Sequence, residues 1–422
     1  MTTKELVNII KNGGLEKYST IYDNISLQND RFLSAIANFE KMYGEREIML
    51  LSVPGRSEIC GNHTDHNAGC VLAGSINRDV IAVVAKSDDN TIRLYSEGYS
   101  EIKVSLSECA DKNNFENYTS ASLIGGVVNG FLNNGYSVGG YVAYVTSDVF
   151  AGSGISSSAA FEVMIGNILN HLYNGGKVSN VEIAKLAQYA ENVYFGKPSG
   201  LMDQMACAVG GFVFIDFRDN KNPVIEPIDF SLRKYGYSLC IINTGGNHAD
   251  LNDDYASVPR EMKSVANALG KQVLRESSYE ELLASIGDVR QKCGDRAVLR
   301  AIHFFNENER VCNARDALKN DDVDTFLSII RSSGDSSFKY LQNVYTNVNV
   351  REQGLSLALC LTDKFLGKRG ALRVHGGGFA GTIQVFLPSE LTSQYVELIE
   401  GVFGDGTVMA LDVNPLGACR LF

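Results

Sequence analysis

The stretch Ser147-Asp148-Val149-Phe150-Ala151-Gly152-Ser153-Gly154-Ile155-Ser156-Ser157-Ser158-Ala159-Ala160 decides how this chain is read. Before it, Tyr141 to Val145 has the apolar run of a strand. After it, residues 156–172 place Ala159, Val163, Ile168, Leu169 and Leu172 on roughly one side, the spacing of a helix. A strand, a glycine turn and a helix in that order make an anion site. Glycine lets backbone N–H groups approach closely, and the helix points its positive end at the same place. Three serines add hydroxyls for phosphate or Mg²⁺. No lysine follows the glycines, so this is not the Walker loop, and Ser157 stands where the dinucleotide fingerprint needs a third glycine. Two readings stand on these residues alone, a phosphate cradle and a flexible turn capped by serine.

Three further segments carry chemistry. From Pro198 to Ile215 the charged residue is Asp203 alone, set among apolar neighbours. An ionised carboxylate in such surroundings needs a cation or a role. It reads as a base or electrostatic anchor beside a substrate hydroxyl, or else as a helix N-cap or structural ion pair. Glu191 lies at the edge of the apolar stripe of a helix spanning about 181–194, where it could reach a metal held against phosphates or sit at the surface.

The second segment, Pro54 to Gly69, follows the short strand Ile48 to Val53 and reads as a turn-rich polar loop. Its dense hydrogen-bonding side chains suit the reading of several hydroxyls at fixed angles. His63, Asp65 and His66 also admit a metal, although their spacing is not that of a zinc helix. The third, Arg373 to Gly381, contains Gly376-Gly377-Gly378 and reads as a close backbone approach to a ligand or as a tight bend.

Composition limits the function classes. Among 422 residues, 45% are apolar and 21% charged, a globular balance. The net charge of −11 repels phosphate backbones and anionic membranes, so nucleic acid and membrane are not expected partners. No apolar run reaches the length of a membrane span, and the segment from Met1 to Gly14 has no signal-like apolar core. Nine cysteines without a C-x-x-C pair fit reduced thiols in a cytoplasm.

The chain reads as two α+β domains, 1–212 and 213–422, with residues 1–45 mostly helical and broken at Gly13–Gly14. Val80 to Val84, Ile92 to Tyr95, Phe212 to Ile215 and Tyr237 to Ile242 read as strands.

Taken in chain order, three of the segments resemble the three motifs of the GHMP small-molecule kinases, and with Gly200 to Gln204 as a fourth they resemble specifically the galactokinase family. Within Pro54 to Gly69, the stretch from Gly55 is similar to the signature G-R-x-N-x-x-G-E-H-T-D-Y-N-x-G, the glycine loop to G-x-G-L-S-S-S-A, Gly200 to Gln204 to G-I-M-D-Q, and Gly376 to Gly381 to G-G-G-F-G-G. The similarity runs from about Arg31 onward, leaving residues 1–30 as an extra helical extension.

The resemblance implies a two-domain fold with its active site in the cleft between domains, and transfer of the ATP γ-phosphate to the anomeric hydroxyl of galactose. It implies that Asp203 is the catalytic carboxylate with Arg56 beside it. Gly152, Ser153, Gly154, Ile155, Ser156, Ser157 and Ser158 would hold ATP, and Ser158 and Glu191 would bind Mg²⁺. Asn62, His63, Asp65, Gly200 and Tyr255 would contact the sugar. A cytoplasmic monomer or weak dimer, with a small-molecule sugar and ATP as ligands, is the implied state.

The chain departs from the signature at three sugar-side positions. Glu58 stands at its asparagine, Asn62 at its glutamate and His66 at its tyrosine. These leave the chemistry intact and open the choice of sugar to N-acetylgalactosamine, galacturonate or arabinose. A non-catalytic sugar and ATP sensor is a third reading. Such a sensor lacks a Ser-Ala pair just after the glycine loop, whereas Ser158-Ala159 is present here.

Overall fold

Thr2 starts the first helix, accepting from the Glu5 N–H while the Glu5 carboxylate accepts from the Thr2 N–H, a reciprocal capping box. Helix α1 (Thr3–Lys11) ends before Gly13–Gly14, and Asn24 caps α2 (Ile25–Tyr43). The chain then forms β1 (Met49–Cys60), β2 (Cys70–Lys86), β3 (Thr91–Ser96), β4 (Ile102–Ser105), α3 (Ser120–Asn133), β5 (Tyr141–Ser147), α4 (Ser157–Tyr173), α5 (Asn180–Tyr189) and α6 (Met202–Val209). It continues with β6 (Phe212–Asp216), β7 (Val224–Ile228), β8 (Tyr237–Asn243), α7 (Asn252–Ala268), α8 (Tyr279–Ala284), α9 (Ile286–Cys293), α10 (Asp295–Lys319) and α11 (Val323–Ser336). The last elements are α12 (Gly354–Leu366), β9 (Ala371–His375), β10 (Thr382–Pro388), α13 (Thr392–Phe403), β11 (Val408–Leu411) and β12 (Cys419–Arg420). This is a computed structural model, and it describes residues 1–149, 154–246 and 251–422.

Two compact units result. Unit 1 is Met1–Arg56, Ser75–Gly211 and Asn414–Phe422; unit 2 is Ser57–Gly74 and Phe212–Val413. A single division at 212–213 lies beside one of the four crossings and does not describe the other three.

The sheet of unit 1 has the order β12–β1–β2–β5–β3–β4, with β3 and β5 parallel. One core of this unit packs Leu6 and Ile10 of α1 and Phe32, Ile36 and Phe39 of α2 with Leu50, Ile81 and Val83 of the sheet. Residues 1–30 are therefore part of a core, since Leu6, Ile10 and Leu15 are completely buried. Helices α3, α4, α5 and α6 pack on one another. In unit 2, Cys70–Gly74 pair antiparallel with β6, and β6 with β7. A separate antiparallel sheet has the order β11–β8–β10–β9, and Val374, Ile383 and Val385 of that sheet share a core with Leu355 and Tyr395. A second core of unit 2 joins α7 and α10 through Val258, Met262, Ala301 and Phe304.

Two expectations need adjusting. The strand expected to stop at Pro54–Gly55 runs on to Cys60, and the turn begins at Gly61. Burial explains this, because every residue from Leu50 to Cys60 is buried and its backbone favours pairing over a solvated loop. The helix expected over 181–194 ends at Tyr189 and passes into a π-helical turn, Ala190–Phe195, which carries Glu191. Such single π turns are frequent at functional sites.

Candidate active site

In unit 1 the glycine loop, β1 and α6 converge on one carboxylate. Gly55 makes the approach possible, since a Cβ there would lie 2.9 Å from the Ile155 carbonyl oxygen. The Arg56 N–H donates to that same oxygen at 3.1 Å. The Arg56 side chain then grips Asp203 with two parallel bonds, Nε to Oδ1 and Nη2 to Oδ2, both 2.7 Å. Its Nη1 donates to the Gly154 carbonyl at 2.7 Å. Ser156 Oγ donates to Asp203 Oδ2 at 2.5 Å. Asp203 lies in the first turn of α6, whose cap position is Leu201, so the N-cap reading of Asp203 does not hold.

Burial pushes the Asp203 carboxyl up. The Arg56 guanidinium, the Ser156 hydroxyl and the charge of Lys197 outweigh it, holding Asp203 below its ordinary range. Its side chain nevertheless keeps 33% exposure, so it can meet a ligand.

Ser156 also has φ 60 and ψ 60, the left-handed region, immediately before α4 begins at Ser157. Its hydroxyl does not cap the helix. Ser157 and Ser158 stand in the first turn of α4, at the positive end of the helix dipole, where no side chain of the cap residue occupies the backbone N–H groups. Ile155 is buried. Gly152 and Ser153 lie outside the described residues.

Glu191 is 3% exposed. Its Oε1 accepts from Lys197 Nζ at 3.0 Å, and its Oε2 from Gln204 Nε2 at 2.7 Å. The same Gln204 amide donates to Glu162 Oε2 at 3.0 Å, leaving Glu162 Oε1 buried without a hydrogen bond. Burial and the neighbouring Glu191 push the Glu162 carboxyl well above its ordinary range. Ser158 is one turn before Glu162 on α4 and so faces the same side of that helix. Sequence reasoning missed Glu162 and Lys197, which no charge run or spacing singles out. Gln204 was within a quoted motif but without a role. Gly200 also belongs to unit 1, in the exposed segment leading to α6.

In unit 2 the turn after β1 meets the glycine turn between β9 and β10. His63 Nε2 hydrogen-bonds the Gly377 carbonyl at 3.0 Å, and the Tyr255 hydroxyl donates to the Gly378 carbonyl at 2.8 Å. A Cβ at Gly377 would lie 2.8 Å from the Tyr255 ring, which is why glycine is needed there. Asp65 Oδ1 pairs with His66 Nδ1 at 2.8 Å. Burial raises the Asp65 carboxyl, but His66 and its hydrogen bonds bring it down to about 2. Burial, aided by His66, lowers His63 to about 3. The two histidines thus direct ring nitrogens at Gly377 and Asp65, and among the described residues no group of three or more His, Cys, Asp or Glu is arranged to hold a metal. Asn62 is 1% exposed, and its side chain is bonded to Glu58, Gly376 and Asn343. A cavity of about 420 Å³ in this unit, lined by Thr244, Leu251, Thr346 and Phe379, includes none of the predicted site residues.

Comparison with known proteins bears on both units. Residues 122–211 match the GHMP kinases N terminal domain, and residues 37–86 match the galactokinase galactose-binding signature. The chain is 31% identical to a galactokinase of Glaesserella parasuis over 86% of its own length and 91% of that protein. It is 32% identical to a galactokinase of Thermotoga petrophila over 80% of its length and 89% of that protein. Its fold is similar to that of Lactococcus lactis galactokinase solved with galactose, with a TM-score of 0.76 at 23% identity, covering 92% of this chain and 100% of that one. A mevalonate kinase structure also matches, at a TM-score of 0.61 and 14% identity over 87% of this chain.

Proposed function

The chain belongs to the galactokinase family, and from that premise we propose that it transfers the γ-phosphate of ATP to the anomeric hydroxyl of galactose, giving galactose 1-phosphate and ADP. The observation that carries the reading is the Arg56–Asp203 pair with Ser156, the last residue of the phosphate loop before α4.

Asp203 is ionised at neutral pH and both of its oxygens are fixed, so a remaining lone pair can accept the anomeric O–H of the sugar. As that oxygen bonds to phosphorus and the bond to the ADP oxygen breaks, the sugar proton passes to Asp203. A carboxylate held at low pKa takes the proton late, which suits a loose phosphoryl-transfer transition state. Arg56 balances the charge on Asp203 before the proton arrives and faces the loop that holds the phosphates. The N-terminus of α4 supplies oriented N–H groups for ATP. Among the sugar-side groups, Asp65 and His66 can read hydroxyls as acceptor and donor, and His63, Gly200 and Tyr255 complete the contacts proposed for the sugar.

Ser158 and Glu191 are the residues that would hold Mg²⁺. Hard oxygen donors with one carboxylate suit that ion, which takes most of its ligands from phosphates and water. When bound it neutralises charge on the phosphates. Lys197 pairs with Glu191 in the protein alone, and Gln204 fixes the other oxygen of that carboxylate. No helix among the described residues is long and apolar enough to cross a membrane, and the nine cysteines are free.

The test is ATP turnover by the purified protein against galactose, N-acetylgalactosamine, galacturonate and arabinose, with the phosphorylated position read by NMR. Galactose should be the preferred substrate, and turnover of another sugar far above it would replace galactose in the reading. Asp203→Asn should lower kcat by roughly 10²–10⁴-fold, with galactose and ATP binding retained by calorimetry. Full activity in that variant would remove Asp203 from the chemistry.

A further inference from the structure

An asparagine side chain has two N–H donors and one oxygen with two lone pairs. In Asn62 both donors are spent, on Glu58 Oε1 at 3.0 Å and on the Gly376 carbonyl at 2.7 Å. Its oxygen accepts from Asn343 Nδ2 at 2.7 Å. At 1% exposure it has no donor left for a ligand.

The carboxylate that Asn62 touches is itself committed. Glu58 Oε1 accepts from Arg373 Nη2 at 2.7 Å, and Arg373 Nη1 donates to the Ile59 carbonyl at 2.8 Å. Arg373 is completely buried and Glu58 nearly so, so each charge depends on the other. Arg373 is on β9, which leads directly into Gly376–Gly378. The cluster therefore ties the end of β1 and the turn bearing His63 and Asp65 to the glycine turn.

We propose that Asn62 is a positioning residue and not a sugar ligand. With Glu58 and Arg373 it forms a buried lock that sets the His63–Asp65 turn against Gly376–Gly378, and Asp65 is left as the carboxylate of this segment that faces the sugar. The signature to which this segment is similar has the amide at 58 and the carboxylate at 62. Because the two side chains touch here, reversing them keeps one amide, one carboxylate and the charge balance with Arg373. Asn62→Glu alone would set two buried carboxylates against each other, and Glu58→Asn alone would leave Arg373 without its counter-charge.

The inference rests on the sugar-kinase reading for its binding assay, and its stability assay is independent of that reading. In a double-mutant cycle, Asn62→Glu and Glu58→Asn should each lower the Tm and raise the KM for galactose at least about tenfold. The KM for ATP should stay within about twofold. The double variant should return both the Tm and the galactose KM to near the parent. If a single variant fails to fold, a folded double variant is the supporting result. A double variant that is unfolded, or as impaired as the two singles combined, overturns the lock. The milder Asn62→Ser separates positioning from contact by calorimetry with galactose and its 2-, 4- and 6-deoxy forms. Equal weakening toward all four supports positioning. A deoxy sugar bound equally well by parent and Asn62→Ser identifies the hydroxyl that Asn62 reads, and overturns the proposal. If no sugar is turned over by the parent, the kinase reading fails while the Tm cycle still decides whether the lock exists.

Discussion

Ser156 shows how much one residue can hold. A serine with φ 60 occupies a conformation that costs a non-glycine residue about 1–2 kcal/mol. What it obtains is a hydroxyl placed 2.5 Å from Asp203. Glycine would relieve the backbone and lose the hydroxyl. Ser156→Gly should therefore leave thermal stability unchanged or raise it by up to about 1 kcal/mol, and lower kcat several-fold as Asp203 loses a fixed donor. Chemical denaturation and steady-state kinetics on the same preparation check the two opposite signs. The sequence made Ser156 visible as part of a glycine-serine loop, but nothing local told that its hydroxyl turns to Asp203. Asn62 is a sharper case. Its resemblance to a sugar-contacting position was legible, whereas the partners that consume its amide, Asn343 and Gly376, lie 281 and 314 residues away.

At the scale of elements, α3 is a helix that spacing alone did not announce. It carries Gly125, Gly126 and Gly130, which weaken helix propensity and interrupt an apolar stripe. The reason for Gly126 is in the packing: a Cβ there would lie 2.7 Å from the Ala190 Cβ and 2.9 Å from the Tyr194 Cβ. Ala190 opens the π-helical turn that carries Glu191, so α3 sets how deep that turn sits. Gly126→Ala should destabilise the protein by about 1–3 kcal/mol through overpacking. It should also raise the Mg²⁺ concentration needed for half-maximal turnover more than it changes the KM for galactose, measured by titrating the metal at fixed ATP. By contrast, α4 was readable, since its apolar residues recur at helical spacing over consecutive turns. β1 was under-read because Pro54 and Gly55 are turn residues by habit. Only the tertiary approach of Ile155 shows why Gly55 sits inside a strand.

The molecule as a whole carries histidines that resist protonation. His303 is completely buried, with Nδ1 on Ser336 Oγ at 2.9 Å and Nε2 on the Asn62 carbonyl at 3.0 Å. Burial lowers its pKa, and Arg310 and Arg373 lower it further against the pull of Glu307. His63 is lowered to about 3 from an ordinary 6.5. Folded pKa values below the unfolded value mean that the unfolded chain binds more protons below 6.5. The stability these residues contribute is complete above pH 6.5 and is lost as pH falls toward 3. His66, raised by Asp65 in spite of burial, acts with the opposite sign. Its contribution is present below 6.5 and fades as pH rises through its folded pKa. The Tm should thus decline between pH 6.5 and 4, and His303→Gln should flatten that decline while lowering the Tm at neutral pH. A Tm that rises over this range would reverse the assignment. The threading of the chain through its two units was not legible, because 57–74 and 414–422 have no compositional mark.

That threading has a consequence for how the protein is born. β12 pairs with β1 through Leu51–Arg420 and Ser52–Cys419, and Leu421 joins the core built by α1 and α2. The Tyr18 hydroxyl closes on the Leu421 carbonyl at 2.8 Å. On the ribosome, those residues emerge only after Phe212–Val413 have been made. The first unit must wait with its sheet edge open and part of its apolar interior uncovered while the second is synthesised. Its nascent form is the stage at which a chaperone has most to hold.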